Sequence, residues 1–466
     1  MAEKLKLFAK KEVIYPKRVW GKYRKLKWIA MIALLGIYYL APWLRWDRGA
    51  GVPDQAILID MPNHRAYFFF IEIWPQEVYF ISGILILAAV GLFFVTCIFG
   101  RVWCGYACPQ TVWTDLFVWV ERIIQGDRNT RKKLSESKLS WEKAWKKGLT
   151  HIIWLIIGLC TGGAWVFYFN DAPTLLDQII HLSVPSSTWV WILGLTLSTY
   201  IMAGYAREQV CMYMCPYSRF QSAMFDKDTL IIGYDKERGE PRGSHKSTDS
   251  WEGRGHCIDC TQCVVVCPQG IDIRNGLQME CIACGLCVDA CNNVMDKVGL
   301  PRGLIRYDTA HHMEHKTNKF RIIRPRTIYY TAILTIVGGL MLYGLMNRTM
   351  LELHVLHDRN PLFVLLSDGS IRNSYTVKIL NKGRQDRTYT IRAKGLENAE
   401  LRVEGNTEVP SDNLKVFGDS VGQFRAYVTL PPSSIKNVRT DIEFEIIDNE
   451  TKLKAENETI FISGNE

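Results

Sequence analysis

The sequence predicts a polytopic α-helical membrane protein that carries a cysteine-rich insert and ends in a β-sandwich. Three observations predict this fold class. Five apolar stretches are long enough to cross a bilayer, eight closely spaced cysteines stand between the fourth and fifth stretches, and the C-terminal part alternates apolar with polar residues. The 466 residues are enough for about three domains.

Each predicted span is an apolar stretch of transmembrane length. The spans cover residues 28–46, 78–99, 152–169, 189–205 and 328–346. The fourth is the most polar, because it contains Ser198, Thr199 and Gly204. The first is long, ends in aromatic residues and lacks a small-residue cleavage site, so it is not predicted to be a cleaved secretory signal.

The distribution of basic residues predicts the orientation in a bacterial inner membrane. Ten Lys and Arg lie within residues 1–27, whereas residues 170–185 contain none. The positive-inside rule then places the N-terminus in the cytoplasm, and this orientation explains the net charge of +9 without nucleic-acid binding. The predicted parts are a cytoplasmic N-terminus (1–27), a four-span membrane domain (28–205), a cytoplasmic region (206–327) with the insert at about 250–300, a fifth span (328–347) and a periplasmic β-domain (348–466).

The insert contains two cysteine runs with the spacing Cys-x-x-Cys-x-x-Cys-x-x-x-Cys. They are Cys257, Cys260, Cys263 and Cys267, then Cys281, Cys284, Cys287 and Cys291. This spacing is typical of bacterial ferredoxins that bind two 4Fe–4S clusters, in which the fourth cysteine of each run ligates the other cluster. We therefore predict one cluster on Cys257, Cys260, Cys263 and Cys291, and a second on Cys281, Cys284, Cys287 and Cys267. Zinc sites or a disulfide framework are the alternatives, but they rarely use two adjacent runs in this rhythm.

A second cysteine motif, Cys-x-x-x-Cys-Pro, follows each even-numbered span. It occurs as Cys104, Cys108 and Pro109, and again 107 positions later (104 to 211, 108 to 215) as Cys211, Cys215 and Pro216. The recurrence is compatible with a tandem repeat of two membrane hairpins in the same orientation. Residues four apart share a helix face and proline disfavours helix before it, so each pair is expected at a helix end.

Four thiolates at one membrane face would suit Cu(I), zinc or a further iron–sulfur cluster. The alternative is that these cysteines are small residues that pack helix ends. Because the spacing and the proline are both duplicated, we favour a redox or metal role.

Other candidate residues carry weaker signals. Cys97 and Cys160 lie in apolar stretches and are expected to pack as small apolar residues. Met350, His354 and His357 follow the fifth span and are candidate copper ligands, since a helix would align Met346, Met350 and His354 on one face. A membrane-exit helix with incidental Met and His is the plainer interpretation.

Several function classes are not favoured. The sequence has no dinucleotide fingerprint, P-loop or hydrolase motif, and no pairing of histidines in the spans that would favour haem. After Cys291 there is no cysteine, so the exported domain forms no disulfide. Its short alternating segments at 375–380, 387–393, 423–430 and 440–447 predict an immunoglobulin-like β-sandwich.

The order of these parts resembles the FixG/RdxA/CcoG family along nearly the whole chain. The residues at 358–361 (Asp-Arg-Asn-Pro) and 368–373 (Asp-Gly-Ser-Ile-Arg-Asn) also resemble that family at the entry to its β-domain. The resemblance implies a membrane iron–sulfur oxidoreductase, a cupric reductase that makes Cu(I) for assembly of cbb3-type cytochrome c oxidase. The resemblance assigns the eight cysteines of the two runs to clusters. The four cysteines of the membrane motif match the membrane motifs of that family. Asn292, where a ferredoxin has proline, loosens the geometry around one cluster.

The leading hypothesis is therefore a cupric reductase whose partners are copper ions and the oxidase assembly machinery. Its electron donor would be a quinol or a cytoplasmic reductant, and homo-oligomer formation is left open. A quinol dehydrogenase of the NapH type and a non-enzymatic assembly factor are the alternatives. The β-domain favours the cupric reductase over the quinol dehydrogenase, because a simple quinol relay has no evident need for such a domain.

Overall fold

The structure is a computed structural model that describes residues 13–49, 52–245, 250–315, 320–404, 408–409, 411, 413–435 and 437–464. The chain divides into two compact units, Met1–Met341 and Leu342–Glu466. The first unit contains the cysteine-rich insert together with the first four apolar helices, and the second contains the β-domain.

Among the described residues, five helices are long and apolar enough to cross a membrane, as predicted. They are Lys22–Trp43, Val78–Phe99, Trp141–Val166, Ser186–Ala206 and Pro325–Met346. The second agrees with the prediction at both ends, whereas the first and third begin well before the predicted 28 and 152. The third begins early because the Ser140 side chain caps it, accepting a hydrogen bond from the Lys143 amide at 3.3 Å.

The described α-helices include short ones between these spans and within the insert. They are α1 (Lys22–Leu40), α2 (Val78–Phe99), α3 (Pro109–Gln125), α4 (Arg128–Glu136), α5 (Trp141–Val166), α6 (Ala172–Ile180), α7 (Ser186–Thr199), α8 (Tyr217–Met224), α9 (Lys236–Gly239), α10 (Gln262–Val265), α11 (Leu286–Lys297), α12 (Ala310–His315) and α13 (Pro325–Met346). The fourth span continues from α7 as a π-helical segment, Tyr200–Ala206.

Helix α1 begins early because charged groups elsewhere in the chain stabilise its first turn. Asp289 of α11 accepts hydrogen bonds from the amides of Tyr23 at 3.2 Å and Arg24 at 2.8 Å. The Arg24 guanidinium then lies 2.9 Å from the carboxylate of Asp115 in α3, with both side chains largely buried. A carboxylate at a helix N-terminus satisfies amides that the helix leaves unpaired.

Two small sheets lie in the first unit. Strands β1 (Ile57–Asp60), β2 (Arg65–Phe68) and β3 (Ile71–Ile73) form an antiparallel sheet between the first two spans. Strands β4 (Leu230–Tyr234) and β5 (Ile305–Thr309) pair antiparallel, with Leu230 opposite Thr309. Because β4 and β5 lie on either side of the cysteine runs in sequence, their pairing holds the two ends of the insert together.

The second unit is an immunoglobulin-like β-sandwich, as predicted. One sheet has the order β11-β10-β13-β8-β6, with β7 also paired to β8, and the other has the order β12-β9-β14-β15. The strands are β6 (Leu351–His357), β7 (Val364–Leu365), β8 (Ile371–Asn381), β9 (Arg387–Lys394), β10 (Glu400–Glu404), β11 (Glu408–Val409), β12 (Leu414–Val416), β13 (Ser420–Leu430), β14 (Arg439–Asp448) and β15 (Lys454–Ile462). Tyr375 and Val377 of β8 share the core with Phe444 and Ile446 of β14. All four predicted strand segments lie within β8, β9, β13 and β14.

Candidate functional site

The first cysteine run surrounds the short helix α10. Cys257 and Cys260 lie in the loop before α10, Cys263 lies within it, and Cys267 follows it. The second run is built in the same way around α11. Cys281 and Cys284 lie in the preceding loop, and Cys287 and Cys291 lie in the helix.

Tight backbone turns shape both loops. Asp259 and Thr261 in the first loop each have φ of 53°, and Ala283 in the second has φ of 51°. Residues with side chains seldom adopt this left-handed conformation, and here it reverses the chain between successive cysteines. Both loops therefore turn sharply between successive cysteines.

The fold exchanges the last cysteine of each run. Cys291 lies close enough to Cys257, Cys260 and Cys263 for their charges to interact, although it belongs to the second run. Cys267 of the first run lies in the same way beside Cys281 and Cys284. The structure thus brings together two sets of thiols, each with one member from the other run.

The donor set fits iron–sulfur clusters. All fourteen cysteines lie in the described ranges and are free thiols. Burial raises the pKa of Cys263 to about 11 and those of Cys267 and Cys291 to about 12. Because only the thiolate binds metal, such buried sulfurs are stabilised as thiolates when a bound cationic group replaces their protons.

Thiolates around a four-iron cluster are spread more widely than ligands of one ion, because each sulfur binds a different iron. Among the residues that the structure describes, no three His, Cys, Asp or Glu side chains gather closely enough to hold a single metal ion, and this applies to the two runs and to the membrane motif alike. A single ion at the membrane motif would therefore have fewer than three of these ligands.

In each membrane motif, a π-helical turn connects the first cysteine to the second. Cys104 lies within Trp103–Ala107 and Cys211 within Val210–Met214, and in each case the second cysteine follows in an extended conformation. The expectation that each pair shares an α-helical face is therefore wrong. The expected helix boundary is present, since Pro109 begins α3 and Pro216 directly precedes α8.

The two motifs meet. Cys104 interacts electrostatically with Cys108 and Cys211, and Cys211 interacts with Cys108 and Cys215. The Cys104 thiol also lies 3.5 Å from Oε1 of Gln221, a fully buried residue of α8. Burial raises the pKa of Cys104 to about 12 and that of Cys211 to about 11.

The first motif packs directly on the second cysteine run. The Tyr106 hydroxyl donates a hydrogen bond to the Cys284 carbonyl at 3.0 Å. Gly105 allows this approach, because an added Cβ would lie 2.7 Å from the carbonyl oxygen of Ile282 and 3.1 Å from Cα of Cys284. The backbone that carries Cys104 and Cys108 is therefore in contact with the backbone that carries Cys284.

One buried cation lies between these groups. The Arg101 guanidinium donates to the carbonyls of Met279, of Cys281 at 3.3 Å and of Ser218 at 2.6 Å. Its charge also interacts with Cys104 and Cys281. Burial lowers the pKa of Arg101, but an arginine remains protonated near neutral pH, so it favours negative charge on both sets of sulfurs.

Arg101, Gly105 and Tyr106 were not predicted as site residues. A signal was present, because an arginine precedes both motifs, as Arg101 and as Arg207. Their contacts with the second run could not be read from the sequence, since about 180 residues separate the partners.

The alignment of Met346, Met350 and His354 on one helix face, considered for the candidate copper ligands Met350, His354 and His357, is wrong. Helix α13 ends at Met346, and these histidines lie in β6 (Leu351–His357). Side chains alternate along a strand, so His354 is exposed beside Glu352 while Nε2 of His357 lies 2.7 Å from Oδ1 of Asn373. The two rings point to opposite faces.

The two remaining cysteines differ in their surroundings. Cys97 is buried, in agreement with a packing role, whereas Cys160 in α5 is exposed.

Three family descriptions match the chain. A 4Fe–4S dicluster domain matches residues 206–310, a 4Fe–4S binding domain matches residues 81–127, and an IG-like fold at the C-terminus of FixG matches residues 341–464. The second match contains Cys104 and Cys108.

Curated relatives extend the similarity to almost the full length. Nitrogen fixation protein FixG of Rhizobium meliloti is 48% identical over 461 residues, covering 91% of this chain and 88% of that protein. Protein RdxA of Cereibacter sphaeroides is 46% identical over 451 residues, with 95% of each chain covered. Ferredoxin-type protein NapH of Haemophilus influenzae is 23% identical over 220 residues, covering 44% of this chain and 65% of that protein. The chain therefore belongs to the FixG/RdxA family and is a multipass membrane iron–sulfur protein of electron transfer.

Proposed function

We propose that the chain is a cupric reductase. The ferredoxin cysteines hold two 4Fe–4S clusters in the predicted cross-run sets, and the membrane thiols Cys104, Cys108, Cys211 and Cys215 bind copper. Each electron that leaves the ferredoxin region converts one Cu(II) to one Cu(I), so the reaction needs one electron per copper ion and no other reactant.

The contact between Tyr106 and Cys284 carries this proposal. Electron transfer between two centres weakens steeply as their separation grows, so direct contact between the segments that carry donor and acceptor favours it. Tyr106 lies between Cys104 and Cys108 and donates a hydrogen bond to the carbonyl of Cys284 at 3.0 Å. Gly105 removes the side chain that would hold the two backbones apart.

The chemistry of the membrane thiols also suits copper. Sulfur ligands favour Cu(I) over harder ions, so a thiol site stabilises the product of the reduction. The Arg101 charge beside Cys104 and Cys211 favours their thiolate forms. Both effects make reduction at these sulfurs more favourable than reduction of copper in water.

The cellular role follows from the family and from the charge distribution. The basic N-terminus favours a cytoplasmic position for the ferredoxin region, with the β-domain in the periplasm. We propose that the Cu(I) is used in assembly of a cbb3-type oxidase, and that the β-domain contacts the assembly machinery.

The test uses the full-length protein in detergent without oxygen. The clusters are reduced with dithionite, the excess is removed, and Cu(II) is added while a Cu(I) chelator and the cluster absorbance are both followed. We expect Cu(I) to appear as the clusters are reoxidised. If copper leaves the clusters reduced while a quinone analogue reoxidises them, the chain is a quinone-linked relay instead.

Paired cysteine variants locate the copper site. C104S/C211S should slow Cu(I) formation roughly tenfold or more, the effect of about 1.4 kcal/mol or more on the barrier. C160S is the matched control, because Cys160 is an exposed cysteine of the same membrane domain. An unchanged rate in C104S/C211S would assign copper to another place.

A second candidate for these thiols is a further 4Fe–4S cluster. The match of residues 81–127 to a 4Fe–4S binding domain favours it. Iron analysis separates the two possibilities. If these thiols hold a cluster, C104S/C211S should contain less iron than the wild type, by the amount of one cluster. If they bind copper, the iron content of C104S/C211S should be unchanged.

A further inference from the structure

A cavity of about 240 Å³ lies where α3, α5 and the π-helical end of the fourth span meet. None of the cysteines lines it. A cavity of about 150 Å³ already holds a benzene ring. This cavity is therefore large enough for one substituted aromatic ring.

Aromatic side chains form one wall of the cavity. His151 stacks on Tyr205 with ring centroids 5.8 Å apart and planes inclined by 10°. Trp154 lies edge-on to His151 at 5.2 Å, and the Tyr200 hydroxyl lies 3.1 Å from Nδ1 of His151. Flat side chains held in this way favour a flat ligand, since ring faces and edges attract one another.

A buried amide that also lines the cavity calls for a hydrogen-bond donor. Gln125 lines the cavity and is 1% exposed. Its Nε2 donates to the Thr150 hydroxyl at 2.7 Å, but its Oε1 has no partner within the described part of the chain. A buried acceptor left unpaired costs about 1–3 kcal/mol, so a ligand hydroxyl at this position is favoured.

Charged groups complete the lining. Glu121 accepts hydrogen bonds from Arg131 at 2.8 Å and from Arg207 at 2.7 Å. Burial tends to raise the pKa of Glu121, but these two arginines outweigh it and the pKa is lowered. Lys147 and Glu208 also line the cavity. The lining of the cavity therefore combines polar and charged side chains with aromatic ones.

The cavity is connected to the proposed electron path. Arg207 and Glu208 line it and also line a second, smaller cavity that reaches Cys211, Ile282 and Leu286. The second cavity thus touches both the membrane thiols and the second cysteine run. A donor bound in the first cavity would be separated from Cys211 by these two side chains.

We propose that the larger cavity binds the ring of a quinol, which supplies the electrons. The inference rests on the proposed function, because it names the donor for the same path. One quinol loses two electrons and two protons to become a quinone. The two electrons would pass one at a time to clusters held by the two cysteine runs and then to two Cu(II), and the two protons would pass to His151 and Glu208, which line the cavity.

The position of the cavity favours a quinol over a water-soluble donor. His151 lies in the third span and Tyr205 near the end of the fourth. A molecule with a polar ring and an apolar tail rests at this depth, with the ring at the membrane surface and the tail in the hydrocarbon. One ring hydroxyl can donate to Oε1 of Gln125.

The experiment measures cluster reduction in the full-length protein by menadiol, without oxygen and without copper. We expect the clusters to be reduced by menadiol. Q125L and H151F should each raise the KM for menadiol roughly tenfold, the loss expected for one hydrogen bond of about 1.4 kcal/mol. H181F, at an exposed histidine outside this cavity, should leave it unchanged.

Dithionite-driven copper reduction serves as the check on folding and on the proposed function. Variants that keep this activity and their iron content, yet lose menadiol oxidation, support the inference. If menadiol leaves the wild-type clusters oxidised while dithionite and copper turn them over, the cavity is not a quinol site and the reductase proposal stands. Wild-type KM values for menadiol in Q125L and H151F would also overturn the inference. If menadiol reduces the clusters but copper does not reoxidise them, only the reductase proposal is overturned.

Discussion

Replacing Gly105 with alanine should weaken the contact between the first membrane motif and the second cysteine run. The new Cβ would lie 2.7 Å from the Ile282 carbonyl oxygen and 3.1 Å from Cα of Cys284. Carbon atoms normally approach to about 3.5 Å, so the two backbones must separate by about 0.4 Å or more. Gly105 lies in a π-helical turn that accepts alanine, so the substitution tests space and not backbone conformation.

The cost has two parts. Overpacking of a close contact destabilises by about 1–3 kcal/mol. Loss of the hydrogen bond from Tyr106 to Cys284 adds about 0.5–1.5 kcal/mol. We therefore expect G105A to destabilise the first unit by about 1.5–4.5 kcal/mol in total and to slow copper reduction by reduced clusters.

Thermal unfolding in detergent and single-turnover copper reduction measure the two effects. G163A is the matched control, because a Cβ at Gly163 in α5 meets no atom within 4 Å and alanine favours helix. A G105A protein with wild-type stability and wild-type transfer rate would show that the close approach at Gly105 has no role.

Three further changes test other parts of the structure. C267S should remove the cluster bound mainly by the second run, whereas C260S should remove the cluster bound mainly by the first run. Electron paramagnetic resonance should then show the loss of a different signal in each variant. Loss of the same signal in both variants would refute the cross-run sets. D289A should expose the amide of Arg24 to exchange and cost about 1 kcal/mol, the usual value of a helix cap, which hydrogen exchange can measure. N373A should lower the melting temperature of the β-domain transition, since the Asn373 side chain bonds both backbone groups of Ile462 at 2.8 and 3.0 Å; no shift would contradict that.

Features that depend on local sequence could be predicted. A span such as Val78–Phe99 is recognised because hydrocarbon excludes polar residues along its whole length. The strands of the β-domain were found because their side chains alternate between core and solvent. The spacing of the cysteine runs is local in the same sense.

Features that depend on partners far away in the sequence could not be predicted. Hydropathy placed the start of the first span after Lys22–Lys27, yet the helix includes these residues, because Asp289 and Asp115 neutralise its first turns from far along the chain. The alignment of Met350 and His354 assumes a helix, although Leu351, Leu353 and Val355 alternate as in a strand. This alternation is the local signal for β6.

The cap that Asp289 places on α1 has a consequence for how the protein is made. The amide of Arg24 and its partner are 265 residues apart, so the first span leaves the ribosome long before its cap exists. Helix α11, which carries Asp289, also carries Cys287 and Cys291. The first turn of α1 can therefore be completed only after the helix that carries these two cysteines has been synthesised and has folded.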